Sequence, residues 1–157
     1  MLSKLINSFL DKKSPMTVHA HCDGPCGVYD PASTRVAAEA VLSMTKKLIA
    51  LEAPPSTDSA EWATYSNTFS RYVAVKEEQA KETKKEILIL WTDYFKPVHL
   101  ETYPDLHETI LKSAKLCSAC KVNIDLAQAE ELMTYVEKIH DIFWTSKGRS
   151  DAFIKAS

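Results

Sequence analysis

Two thiols, one imidazole and three chain-bending residues crowd the segment His21-Cys22-Asp23-Gly24-Pro25-Cys26-Gly27. Thiolates select soft or borderline metals, and imidazole suits zinc, copper, iron or nickel. Gly24 and Pro25 bend the backbone between the thiols, so both sulfurs can reach one ion. The side chains offer three donors, one short of a closed tetrahedral zinc site. Were the chain cut ahead of His21, the backbone would supply the rest. A free amine on His21 and the deprotonated amide nitrogen of Cys22 then close five-membered chelate rings. Two nitrogens and two sulfurs in a plane make a donor set for divalent nickel or copper.

A second thiol pair, Cys117 and Cys120, lies three residues apart and therefore on one helical face. Buried structural thiols are the expectation here, ahead of a metal site or a strained disulfide. A rival arrangement joins Cys22, Cys26, Cys117 and Cys120 around one zinc, giving a non-enzymatic structural protein with a closed site. His99, His107 and His140 lack ligand spacing to one another.

The elements that must position these groups are helical. The chain has 157 residues, which suits one domain with a single core. Hydrophobic residues make up 45% and charged residues 25%, a globular balance. A formal net charge of -2 offers no nucleic-acid surface. No apolar run approaches the roughly 18 residues that span a bilayer. Only three glycines occur, too few for an all-β chain of tight turns.

Residues 1–20 stand apart. Leu2, Leu5, Ile6, Phe9 and Leu10 recur at helical spacing, but Asn7 and Ser8 interrupt them, which makes a poor secretory segment. Val18-His19-Ala20 has the small residues of a cleavage site, which leaves export open beside a cytoplasmic location. Organelle import is open too, though the segment lacks Arg, and on its own sequence it reads as an ordinary frayed N-terminal helix.

The first bundle helix is predicted to start at Asp30-Pro31, with Val36, Ala40, Met44, Leu48 and Leu51 on its apolar face. Pro54-Pro55 stops it, and Asp58 with Glu61 resembles a capping box for the second. Trp62, Tyr65, Phe69, Tyr72 and Val73 give that helix an aromatic stripe expected to pack in the core. A charged middle from Lys76 to Glu86 reads as a solvated face, and the helix ends before Pro97. A third helix is predicted from Pro104, carrying Leu106, Ile110, Ala114 and Cys117 inward. A fourth follows the Asp125 cap, with Leu132, Val136, Ile139 and Phe143 on its stripe and Gly148 past its end. The tail beyond Gly148 is expected to be peripheral or an oligomer contact. Short connections favour an all-α, up-down-up-down four-helix bundle.

The segment from His21 to Tyr29 closely resembles the metal hook of the nickel-dependent superoxide dismutases, written His-Cys-x-x-Pro-Cys-x-x-Tyr. His21, Cys22, Pro25, Cys26 and Tyr29 meet every fixed position. Trp91-Thr92-Asp93-Tyr94-Phe95-Lys96-Pro97 and Ile142-Phe143-Trp144 are similar to two further family segments. The resemblance implies a leader, residues 1–20, removed by a cytoplasmic protease to expose His21, and a bundle domain over 21–157. It implies one nickel ion per subunit, cycling between divalent and trivalent states to convert superoxide to O2 and H2O2. The planar donors would be the His21 amine, the Cys22 amide nitrogen and the sulfurs of Cys22 and Cys26, with the His21 imidazole axial. Tyr29 would stand over the open metal face, backed by Tyr94. Partners would be superoxide, the leader protease and other copies in a homohexamer, without nucleic acid or membrane. A nickel carrier is a third reading, marked by metal binding without turnover. Ungapped counts place Ala37 and Gln79 where better-known members carry a glutamate and an arginine beside the axial imidazole. Lys96 reads as a surface lysine.

Overall fold

The computed structural model describes residues 27–156. Five helices account for most of them: α1 (Ala32–Ile49), α2 (Ser59–Ile89), α3 (Pro97–Thr102), α4 (Leu106–Val122) and α5 (Leu126–Ser146). A single π-helical turn, Leu90–Tyr94, extends α2. No strand occurs among the described residues, and no helix there is long and apolar enough to cross a membrane.

The caps follow the sequence within a residue or two. Asp30 Oδ1 accepts the Ala32 N–H at 2.8 Å and Asp58 Oδ1 accepts those of Ala60 and Glu61. Asp125 Oδ1 accepts the Gln128 N–H at 3.2 Å. These side chains satisfy N–H groups that a helix start leaves without partners. The capping box at α2 does not close. Glu61 instead accepts from the Ser56 hydroxyl, whose oxygen takes the Asp58 N–H. Helix α4 starts at Leu106 rather than Pro104, because the short α3 occupies part of the connection.

α1 packs on α2 and α5, and α4 packs on the same two neighbours, which closes a ring of four long helices. Contacts fix the directions. Ser33 at the start of α1 bonds Glu86 near the end of α2, and Trp91 lies 5.7 Å from His107 at the start of α4. Lys138, late in α5, pairs with Asp105 ahead of α4. One end of the bundle therefore gathers two helix starts and two helix ends, the up-down-up-down arrangement. Its core includes Val41, Ile87, Leu106, Leu132, Ile139 and Phe143, all fully or almost fully buried.

Three expectations change. On α1 the inward face is Thr34, Ala37, Ala38, Val41, Thr45 and Leu48, while Val36 is exposed. The stripe on α2 does not join the core: Trp62 is 42% and Phe69 36% exposed. At 31 residues α2 is roughly 46 Å long, against roughly 27 Å for α1, so its first turns run past the ring. Their rings pack on one another instead, Trp62 to Tyr65 at 5.6 Å and Tyr65 to Phe69 at 6.2 Å. Third, the charged run is not wholly solvated, since Lys76, Thr83 and Glu86 are buried.

The tail is tied down. Gly148 takes φ 70°, which lets its own N–H reach Thr145 O and the Arg149 N–H reach Trp144 O, both at 2.9 Å. This pair of bonds ends a helix with a left-handed residue, a conformation that favours glycine. The chain then returns along the bundle. The Asp151 carbonyl meets His140 Nε2 at 2.9 Å, Phe153 packs 5.2 Å from the His140 ring, and the Ala156 N–H donates to Glu39 at 2.7 Å.

Candidate metal centre

His21, Cys22 and Cys26 lie outside the described residues. The structure describes the chain from Gly27 onward, including Tyr29 and Tyr94. Gly27 turns the chain with φ 68°, and Tyr29 then packs its half-buried ring against the core edge just ahead of α1. This is the end of the bundle where α2 and α5 terminate.

Tyr94 comes to that end through the π turn. The Phe95 N–H reaches back five residues to Leu90 O at 2.9 Å, one residue more than an α-helix allows. The extra residue re-aims the side chains that follow, and such turns concentrate at functional sites. The Tyr94 ring centroid lies 5.8 Å from that of Tyr29, with the planes tilted by 56°. Phe143 supports Tyr94 at 4.4 Å, Phe95 at 5.1 Å and His99 by stacking at 5.5 Å. The Tyr94 hydroxyl lies 2.6 Å from Ser146 Oγ. Lys147 Nζ stands 5.3 Å from the Tyr94 ring centroid and 4.5 Å from that of Phe143. A cation over aromatic faces is favourable in itself and places positive charge beside the tyrosine pair.

The two tyrosines singled out in the sequence are thus brought together. Ser146, Lys147 and Glu86 had no signal there. Glu86 is 4% exposed and accepts the Ser33 hydroxyl at 2.7 Å, which puts a buried carboxylate against the first turn of α1. Ala37 is buried on the same helix, and Gln79 is half-buried on α2. Ser33 and Glu86 are 53 positions apart, and Tyr94 and Ser146 are 52.

The second thiol pair is elsewhere. Cys117 and Cys120 are free and buried, as expected of structural thiols. Burial pushes the Cys117 thiol up to about 12 and that of Cys120 up to about 11, so both stay protonated. The Cys120 carbonyl accepts from Lys76, which lies roughly 27 Å of helix before Tyr94. A zinc clamp on these thiols would have to deprotonate two buried sulfurs. Among the described residues no group of His, Cys, Asp or Glu side chains could hold a metal.

Comparison with known proteins decides the lineage. The model of the family described as nickel-containing superoxide dismutase matches residues 16–147. The chain belongs to the nickel-containing superoxide dismutase family. The superoxide dismutase [Ni] of Streptomyces coelicolor is 38% identical over 132 residues, 84% of this chain and 92% of that protein. Its counterpart from Streptomyces seoulensis is 38% identical over 130 residues, 83% of this chain and 90% of that one. A crystal structure of the nickel-containing superoxide dismutase with oxidised-state ligation is 38% identical, with a TM-score of 0.68, covering 82% of this chain and 99% of that chain. The span matched to the family takes in the hook and ends at Lys147, so the returning tail lies beyond it.

Proposed function

We infer that the chain, cut between Ala20 and His21, dismutates superoxide at nickel held by its new N-terminus. Family membership makes it an oxidoreductase of the superoxide dismutase type with nickel as cofactor. The residues that would hold the metal are His21, through its amine and imidazole, and Cys22 and Cys26, through the Cys22 amide nitrogen and both sulfurs. This set of soft sulfurs and strong nitrogens fits nickel, and no described cluster competes for it. Bound nickel would supply a one-electron couple, through which two superoxide ions and two protons from solvent become O2 and H2O2.

The protein's own residues do the rest. Tyr29 and Tyr94 form the wall beside the hook, where their hydroxyls hold water or substrate and their rings exclude larger ligands. Lys147, over the Tyr94 ring, contributes positive charge for an anionic substrate. The exposed aromatic stripe of α2 suits a contact between copies in a homohexamer, since apolar surface of this kind marks interaction sites. Leader removal by a protease and a cytoplasmic location belong to the same reading.

The observation that carries this reading is the 5.8 Å Tyr29–Tyr94 pair, at the bundle end where the hook enters α1. The test compares intact precursor with protein shown by mass spectrometry to begin at His21. Trimmed protein is expected to bind nickel near one per chain and to dismutate superoxide. In the precursor the His21 nitrogen is an amide, and both properties should be lost. Equal nickel content and turnover in the precursor would overturn the ligand set.

A further inference from the structure

We propose that Ser146 is a positioning residue that commits the Tyr94 hydroxyl proton to the end of α5 and leaves the Tyr94 oxygen only an acceptor for any further partner. The argument is a count of protons. Ser146 Oγ lies 2.7 Å from the Phe143 carbonyl and 2.6 Å from the Tyr94 hydroxyl oxygen. A serine hydroxyl has one proton, and a carbonyl can only accept. Phe143 O belongs to the last turn of α5, where carbonyls lack an intrahelical partner. Ser146 therefore donates to Phe143 and must accept from Tyr94. The bonds run in one direction, from the Tyr94 hydroxyl to the Ser146 hydroxyl to the Phe143 carbonyl.

The chain of bonds is well held. Phe143 is fully buried, and its ring lies against that of Tyr94 at 4.4 Å. Once the Tyr94 proton is committed to α5, only lone pairs remain for the opposite side. Any further partner of the Tyr94 oxygen must therefore be a donor. This deepens the reading in which the two tyrosines flank the hook, and it rests on that reading for its effect on turnover.

The test uses trimmed protein carrying Ser146→Ala, Ser146→Thr, Tyr94→Phe, and Ser146→Ala combined with Tyr94→Phe. In nickel-free protein, NMR of selectively labelled tyrosine reads solvent exchange of the Tyr94 hydroxyl proton. Slow exchange is expected in wild type and Ser146→Thr, and at least about tenfold faster exchange in Ser146→Ala, since the acceptor is gone. In nickel-loaded protein, Ser146→Ala and Tyr94→Phe should each lower turnover about 3- to 10-fold, the worth of one hydrogen bond. The double variant should lose no more than either single one, and Ser146→Thr should restore turnover. Unchanged exchange in Ser146→Ala, or losses that multiply in the double variant, would overturn the proposal. Altered exchange in a protein whose trimmed wild type shows no nickel-dependent turnover would instead sink the dismutase site and leave the role of Ser146 standing.

Discussion

Lys76→Met is expected to destabilise the bundle by about 2 kcal/mol without touching the hook. Lys76 is 1% exposed, and its ammonium donates to the Cys120 carbonyl, to Lys121 O at 3.1 Å and to Asn123 O at 2.7 Å. These carbonyls close the end of α4, where a helix leaves acceptors without partners and where a cation also complements the dipole. Methionine keeps the stem's packing but offers no donor. The Cys120 carbonyl is buried, and orphaning it costs about 1–3 kcal/mol. The other two bonds are only part-buried, so water replaces much of what they lose. Losing the charge at the helix end costs about 0.3–1 kcal/mol more. Relief from burying an ammonium offsets some of this, which leaves about 2 kcal/mol. In a domain of this size that lowers Tm by roughly 7 °C. The pH dependence has a definite sign. Burial lowers the Lys76 pKa below its usual 10.5, so the unfolded chain holds more protons between the folded value and 10.5. Wild type therefore gains stability as pH rises through that window, and Lys76→Met does not. Urea and thermal unfolding followed by circular dichroism, at fixed protein concentration from pH 7 to 10, measure both effects. A variant within about 0.5 kcal/mol of wild type, or a gap that narrows with rising pH, would refute the reasoning.

Replacing Cys22 or Cys26 by Ser should abolish nickel-dependent dismutation while circular dichroism reports an intact bundle, because the described core draws on other residues. Cys117→Ser and Cys120→Ser should keep nickel content and turnover, and in folded wild type at pH 8 both thiols should resist a thiol reagent, being protonated and buried. Metal analysis showing nickel lost from either helical variant would return the zinc-clamp arrangement to contention.

Helix type and order were legible because the signals are local. Asp30, Asp58 and Asp125 each satisfy N–H groups within three residues, and Gly148 ends α5 within one turn. The pairing of Tyr29 with Tyr94 came from the resemblance of the hook and the Trp91–Pro97 segment to the family, and the structure sets the two rings 5.8 Å apart. Periodicity misled where it was asked which partner a face would find. Trp62, Tyr65 and Phe69 do form a stripe, but a stripe records only that a face is apolar. Whether the same chain covers it depends on the relative lengths of α1 and α2, and 18 against 31 residues leaves it uncovered.

The charged and polar residues that went unrecognised share one property. Lys76, Glu86 and Ser146 each act on a group 44 to 53 positions away. In the sequence each looks like its neighbours: a lysine in a charged run, a glutamate in the same run, a serine near a helix end. Only closure of the ring sets Lys76 against the end of α4 and Glu86 against the start of α1. The same closure explains the division of labour in this protein. In the proposed reading the hook would draw its donors from adjacent residues: two sulfurs, an imidazole and a terminal nitrogen all belong to Cys26 and the residues just before it. Among the described residues the bundle has no such cluster to offer. It supplies what a short segment cannot make alone: a second tyrosine held from four sides, a hydroxyl fixed in direction, and a cation at the end of α5. On that reading the metal's donors would be encoded locally, and the groups around Tyr94 are brought together by the fold.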